Sequence, residues 1–303
     1  MKIRSLRESD IEAILSLWNR QVAFDKLTPE LLEEKVWDDT DYLSELAPVV
    51  EHRGQIIAFA LAVIRPVQEV PLGYIKMFVV ENRFQHYGVA GRLLSELEKR
   101  LGEREAAAIR IAESAPNYLM PGLDPRYTQA MVFFEKNGYR RFDETWLLEA
   151  DLTKREFQTK DAEASLAEEE IAIRRGTAAD EKKLADFLQN SNSFAIYPEL
   201  KKALLQNPAS IYFAHDDKNI MALAAHNTNN YKTGWFGPMV IKDDYRDRNI
   251  TPVLLFRCLR DIKERGHRLA MIPWVDDIAF YLEHCGARVS RVFYRYEKKV
   301  VSK

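Results

Sequence analysis

Apolar and polar positions alternate between two periods along the chain, and the changes of period mark its elements. Ile3 to Arg4 reads as a short strand. Ile11, Ile14, Leu15 and Trp18 then recur at helical spacing behind Asp10, which is placed to cap the helix by accepting from its first amides. Val49 to Glu51 and Gln55 to Ile64 flank the turn His52-Arg53-Gly54 and predict a β-hairpin. Tyr74 to Val80 is an apolar strand. From Val89 onward Val89, Ala90, Leu93, Leu94, Leu97 and Leu101 form one helical stripe, with Arg92, Glu96, Lys99 and Arg100 on its wet face. A strand from Ala108 to Glu113, a short helix ending at Gly138 and an aromatic strand follow.

The order then repeats. Ile173-Arg174 and Asp180 echo Ile3-Arg4 and Asp10, ahead of a helix carrying Leu184, Phe187 and Leu188. Ile211 to Ala214 and Ile220 to His226 predict a second hairpin. Trp235 to Ile241 predicts the next strand, and a second short helix ends at Gly286. Two related α/β units follow from this repetition, each a twisted mixed sheet flanked by helices. Residues 1–152 form one and residues 171–303 the other. The Lys-, Glu- and Ala-rich stretch 153–170 reads as a linker or short surface helix.

Composition narrows the function classes. The 303 residues are long enough for two cores, and 47% apolar with 30% charged residues describes a folded globular chain. A net charge of −2 leaves no basic excess to neutralise a nucleic-acid backbone. The apolar run Ile56 to Ile64 is far short of the roughly 20 residues that span a bilayer. The start Met1-Lys2-Ile3-Arg4 has no apolar signal core, and Cys258 and Cys285 read as reduced thiols, so a cytoplasmic protein is expected. His52, His86, His215, His226, His267 and His284 show no ligand spacing, and no metal site is expected.

The chemistry concentrates at Gln85-His86-Tyr87-Gly88-Val89-Ala90-Gly91, between strand and helix. Small residues at a helix start leave its first amides open to a phosphate, whose charge the helix dipole favours. They serve a tight turn equally well. The pattern Gln/Arg-x-x-Gly-x-Gly/Ala, with Gln85, Gly88 and Ala90 in its places, resembles the GNAT N-acetyltransferase superfamily, and the surrounding order of elements fits over nearly all of residues 1–150. The resemblance implies acetyl-CoA as co-substrate, lying between the strand that ends at Val80 and the strand Ala108 to Glu113. It implies main-chain contacts from Phe78, Val79 and Val80 to the pantetheine arm, and Gln85, Tyr87, Gly88, Val89, Ala90 and Gly91 around the pyrophosphate. The implied acceptor is a primary amine of a small molecule or peptide. Neither nucleic acid nor membrane is an expected partner, and the chain is expected as a monomer, its two units imitating a dimer, or as a homodimer.

Two familiar side chains are missing. Tyr74 stands where many relatives place a Glu, and Phe134 where many place a Tyr acid. The substitutes within reach along the chain are Glu113 and Tyr118, with Asp124 and Tyr127 in the same Pro- and Gly-containing loop, 115–125 and just beyond. Glu113 reads either as a catalytic group or as a solvated strand end; the loop reads either as a flank of the acceptor site or as a structural cover. In the second unit Arg246, Asn249 and Thr251 take the motif's places. Thr251 is expected to cap the helix and Pro252 to open it without an N–H, giving a degenerate cofactor loop. The competing reading of the whole chain is a non-catalytic CoA-binding or partner-binding protein.

Overall fold

The computed structural model describes residues 1–217 and 219–300, and of residues 85 and 86 the backbone alone. The chain divides into two units, residues 1–144 with 293–303, and residues 145–292.

In unit 1, β1 (Lys2–Ser5), β2 (Pro48–His52), β3 (Gln55–Val67) and β4 (Val70–Val80) pair antiparallel in that order. β5 (Ala108–Ile111) adds parallel to β4. Helices α1 (Ile11–Gln21) and α2 (Pro29–Val36) cover one face, where Leu17, Trp18, Leu32, Phe59, Met77 and Val79 form a core. Helices α3 (Val89–Gly102) and α4 (Thr128–Lys136) belong to the opposite core, with Ile75, Leu93, Leu97, Ile109 and Phe134. The alternation along β4 explains the division: Met77 and Val79 face the first core, Phe78 and Val80 the second. Thr28 caps α2 through Leu31 N–H, and Pro29 opens it.

The expected boundary at residue 152 differs from the observed division. β6 (Arg140–Asp151) pairs through Trp146–Asp151 with β11 (Leu269–Val275) inside unit 2. The place beside β5 is taken by β12 (Arg288–Lys299), whose Glu297, Lys298 and Lys299 pair with Arg110, Ile109 and Ala108. β6 and β12 carry similar mixtures of aromatic and polar positions, so chain order alone assigns each to the wrong neighbour. The expected linker is also part of a unit. α5 (Lys160–Glu168) buries Leu166, and Phe157 ahead of it is buried in the same core.

Unit 2 repeats the plan. β7 (Ala172–Arg175), β8 (Ile211–His215), β9 (Ile220–His226) and β10 (Phe236–Ile241) form an antiparallel sheet. α6 (Glu181–Asn190) and α7 (Tyr197–Leu205) cover one face; α8 (Ile250–Glu264) and α9 (Ile278–Cys285) join the other core.

Three local expectations need correction. Asp10 and Asp180 do not cap the helices that follow. Each instead accepts from the main-chain N–H of residue 7 or 177 and from an arginine fork, Arg4 in one unit and Arg174 in the other. Thr251 is not the cap of α8: the helix begins at Ile250, after Asn249, and no side chain caps it. Pro252 therefore falls inside the first turn, where it still removes one N–H donor.

Candidate active site

β4 and β5 separate where the resemblance expects them to. Their parallel pairing runs from Leu72–Ala108 to Ile75–Ile111, and Ala112 N–H donates to Ile75 C=O at 2.9 Å. Beyond that point β4 pairs, among the described residues, only with β3. Met77 to Val80 thus present one main-chain edge to a cavity of about 830 Å3. That size suits a small-molecule site. α4 lies along the cavity, and Phe78 stacks on Phe133 with centroids 5.7 Å apart and meets Phe134 edge-on at 5.6 Å.

The loop between β4 and α3 is a 3-10 segment, Asn82–Tyr87, that ends on Gly88 in the left-handed region (φ 69°, ψ 11°). That conformation explains the glycine, since other residues pay for a positive φ with strain. A Cβ built on Gly88 or Gly91 would meet nothing within 4 Å. The space over the helix start is therefore open, and packing is not what requires small residues there. No side chain caps α3, and its first internal bond is Arg92 N–H to Gly88 C=O at 3.1 Å. Val89 is buried in the core, Ala90 lines the cavity and Tyr87 is exposed. These residues fit a diphosphate: uncapped amides, the positive end of a dipole, and room. The side chain of Gln85, the first residue of the motif, lies outside the described residues.

Phe78, Val79 and Val80 line the cavity. Glu113 and Tyr118, expected as catalytic groups, are buried but are not on its wall. The Glu113 carboxylate accepts from Arg295 Nε at 2.9 Å and Nη2 at 3.1 Å, and from Arg110 at 3.2 Å. Burial raises its pKa, against the pull of both arginines. It is not solvated, and through Arg295 it ties the end of β5 to β12. The loop 115–125 contributes Leu119, Met120 and Gly122 to the wall, so it flanks the cavity and covers it as well. Gly122 lies so close to β12 that a Cβ would sit 2.9 Å from the Tyr294 carbonyl oxygen.

Residues that the sequence reading passed over complete the wall: Trp18, Gln21 and Asp25 from the first helical region, and Lys76 from β4. Lys76 sits at a bulge, where β3 pairs Leu61 with Met77 and Ala62 with Ile75. Its ammonium group donates to Asp39 Oδ2 at 2.5 Å and to Lys35 C=O at 2.6 Å. Burial lowers its pKa to about 7, although Asp39 opposes the shift. A lone lysine between Ile75 and Met77 was the available signal for it; Asp25 had none. Among the described residues no group of three or more His, Cys, Asp or Glu side chains is placed to hold a metal, and no helix is long and apolar enough to cross a membrane.

Residues 11–119 match the model of the Acetyltransferase (GNAT) family. No curated protein matches the chain significantly. Among solved structures it is similar to a GCN5-related glucosamine N-acetyltransferase region of a fungal multi-domain GH3 beta-N-acetylglucosaminidase. That match has 17% identity and a TM-score of 0.81, over 98% of this chain but 38% of that one. It is similar to a GCN5-related N-acetyltransferase from Sphaerobacter thermophilus, at 18% identity and a TM-score of 0.71, over 98% and 95% of the two chains. A tandem GNAT protein from the clavulanic acid biosynthesis pathway matches at 11% identity and a TM-score of 0.68, over 98% of each chain. At these identities the likeness is one of fold.

Proposed function

We propose that the chain, whose residues 11–119 match the GNAT acetyltransferase model, is an acyltransferase that binds acetyl-CoA in unit 1 and acetylates a primary amine of a small molecule or peptide there. The observation that carries this reading is the uncapped start of α3 opening beside the free edge of β4. Amides from Tyr87 to Gly91 hold the diphosphate, and the main chain of Phe78, Val79 and Val80 holds the pantetheine arm. The thioester supplies the activated acetyl group. The chain's own part is to align it with the amine, exclude water with the Phe78, Phe133 and Phe134 rings, and offer a main-chain N–H near Val79 to the carbonyl oxygen.

Unit 2 is proposed as a scaffold. Its α8 loses one first-turn donor to Pro252, which weakens the same kind of grip. Phe134 in the place of the family's tyrosine favours a second reading, CoA binding without turnover.

Calorimetric titration of the whole protein with acetyl-CoA, followed by a panel of amines, separates these. Saturable binding with acetylation of at least one amine supports the first reading, and binding without any turnover supports the second. No saturable binding removes both.

A further inference from the structure

Unit 1 holds a second cavity, of about 430 Å3, whose wall shares no residue with the first. It is formed by α1, the turn between β2 and β3, and the residues just after β4. Three arginines, Arg4, Arg20 and Arg83, stand on this wall with two carboxylates, Asp10 and Glu81, an excess of one positive charge. They are not equally committed. Arg4 binds Asp10 at 2.7 and 2.9 Å and Glu51 at 2.9 Å. Arg20 donates to Ser16 Oγ at 2.5 Å and through Nη2 to Glu81 Oε2 at 3.1 Å, while Gln21 donates to the other Glu81 oxygen at 2.8 Å. Arg83 has only a loose pairing among the described residues, its Nη2 lying 3.9 Å from the same Glu81 Oε2. Two exposed guanidinium forks thus converge on one anionic point.

Unit 2 shows which of these groups the shared plan needs. Its Arg174–Asp180 fork repeats Arg4–Asp10. Asn190 stands ten residues after Asp180, where Arg20 stands ten after Asp10. Asp244 stands three after the strand end at Ile241, where Arg83 stands three after Val80. The fold is therefore built without Arg20 and Arg83, and their convergence calls for another reason.

A guanidinium fork is matched by an oxyanion, to which it donates two parallel hydrogen bonds. We propose that this cavity binds a small phosphomonoester, with its phosphate between Arg20 and Arg83 and its hydroxyl groups toward Ser9, Ser16 and Gln55. A phosphate has three oxygens and up to two charges for the two forks, where a carboxylate has two oxygens and one charge. The exposed Arg20–Glu81 pair is worth little, so a ligand that takes its place costs little. The volume lies in the range of small-molecule sites and leaves room for more than the phosphate itself. This site is separate from the acetyl-CoA reading and does not depend on it.

The test is calorimetric titration of the whole protein, with and without saturating acetyl-CoA, using glucose 6-phosphate, inorganic phosphate, succinate and glucose. Glucose 6-phosphate should bind saturably in both conditions, at least roughly tenfold more tightly than inorganic phosphate or succinate, and glucose should not bind. Arg20→Asn and Arg83→Ala should each weaken it about tenfold or more, with melting temperature as the control. Glu81→Gln should tighten it by roughly tenfold, because it removes the anion that competes for both forks; a merely structural Glu81 would give no gain. Absence of saturable glucose 6-phosphate binding overturns the inference, as does equal binding of succinate or inorganic phosphate. Displacement by acetyl-CoA with indifference to both arginine variants would move the phosphate to the start of α3 and overturn it too. Were acetyl-CoA itself not to bind, or Glu81→Gln not to fold, the arginine variants would still decide: weakened binding upholds the site and unchanged binding overturns it.

Discussion

Lys76 and Asp39 form a buried ion pair at 2.5 Å, with Arg65 closing on the same carboxylate through two bonds of 2.7 Å. Lys35, also fully buried, donates to Glu34 Oε1 at 2.8 Å and Asn117 Oδ1 at 3.0 Å, and Arg65 reaches on to the Ser114 and Pro116 carbonyl oxygens. Three cations therefore meet in one buried cluster beside β4, and Asp39 is the anion that two of them share. Burial pushes Asp39 up, but Lys76 and Arg65 outweigh it and hold it below its ordinary value. Removing its charge leaves the buried Lys76 ammonium without its anion and leaves Arg65 with Asp41, which accepts from its Nε at 2.8 Å. Asp39→Asn should cost about 3–5 kcal/mol of stability, read from urea unfolding. A loss under about 1 kcal/mol would show that the network is dispensable.

The same cluster sets a pH dependence. Folded Lys76 gives up its proton near pH 7, while an unfolded lysine holds it to about 10.5. Between those values the unfolded chain binds more protons, so stability should rise with pH across the window. Below pH 7 the cost of the buried ammonium is present in full. Lys76→Met should flatten that rise in unfolding free energy between pH 7 and 10. A variant with the parent's slope would assign the proton to another group.

Gly88 separates strain from ligand contact. Its Cβ space is open, so Gly88→Ala should meet only the cost of a positive φ, about 1 kcal/mol, and keep much of the acetyl-CoA affinity. Gly88→Asp adds a like charge at the diphosphate and should weaken binding by at least tenfold more than Gly88→Ala. Both are read by calorimetry, with melting temperature as the control. Equal affinities in the two variants would move the diphosphate elsewhere.

Glu113→Gln tests whether that carboxylate serves structure or chemistry. With the carboxylate tied to Arg295 and Arg110 away from the cavity, the variant should lose stability, by about 2–4 kcal/mol, and keep kcat within about twofold when folded. A hundredfold loss of kcat with unchanged stability would restore Glu113 to the chemistry.

These residues also mark how far the sequence could be read. The strand, turn and helix around Gly88 were legible because each carries its own period, and the loop's small residues break it at the junction. The second hairpin, β8 and β9, was legible for the same reason. What failed was long-range. Nothing local tells β6 from β12 as the neighbour of β5, and nothing local tells that Glu113, readable as a catalytic group or a solvated strand end, is held by Arg295 far along the chain.

Unit 2 carries a buried network with no counterpart in that chemistry, and it makes the acid limit of this unit predictable. Asp261 accepts from Arg175 at 2.5 and 2.9 Å and from Tyr212 at 2.9 Å, and His226 Nε2 lies 3.1 Å from its other oxygen. Burial lowers the His226 pKa from its ordinary 6.5, although Asp261 resists, so the folded imidazole is neutral near pH 7. Asp261 is held well below its ordinary value, since His226 and Arg175 overcome the effect of burial. As pH falls past 6.5 the unfolded histidine takes a proton before the folded one does, so stability should decline from there. The Asp261 contribution persists until pH falls below about 3.8, the ordinary carboxylate value. Hydrogen exchange of β8 and β9 amides between pH 7.5 and 5 should report the first loss, and His226→Gln should abolish it while keeping a donor for Asp261. If the variant's protection fell with pH as the parent's does, the imidazole would not be the group that titrates.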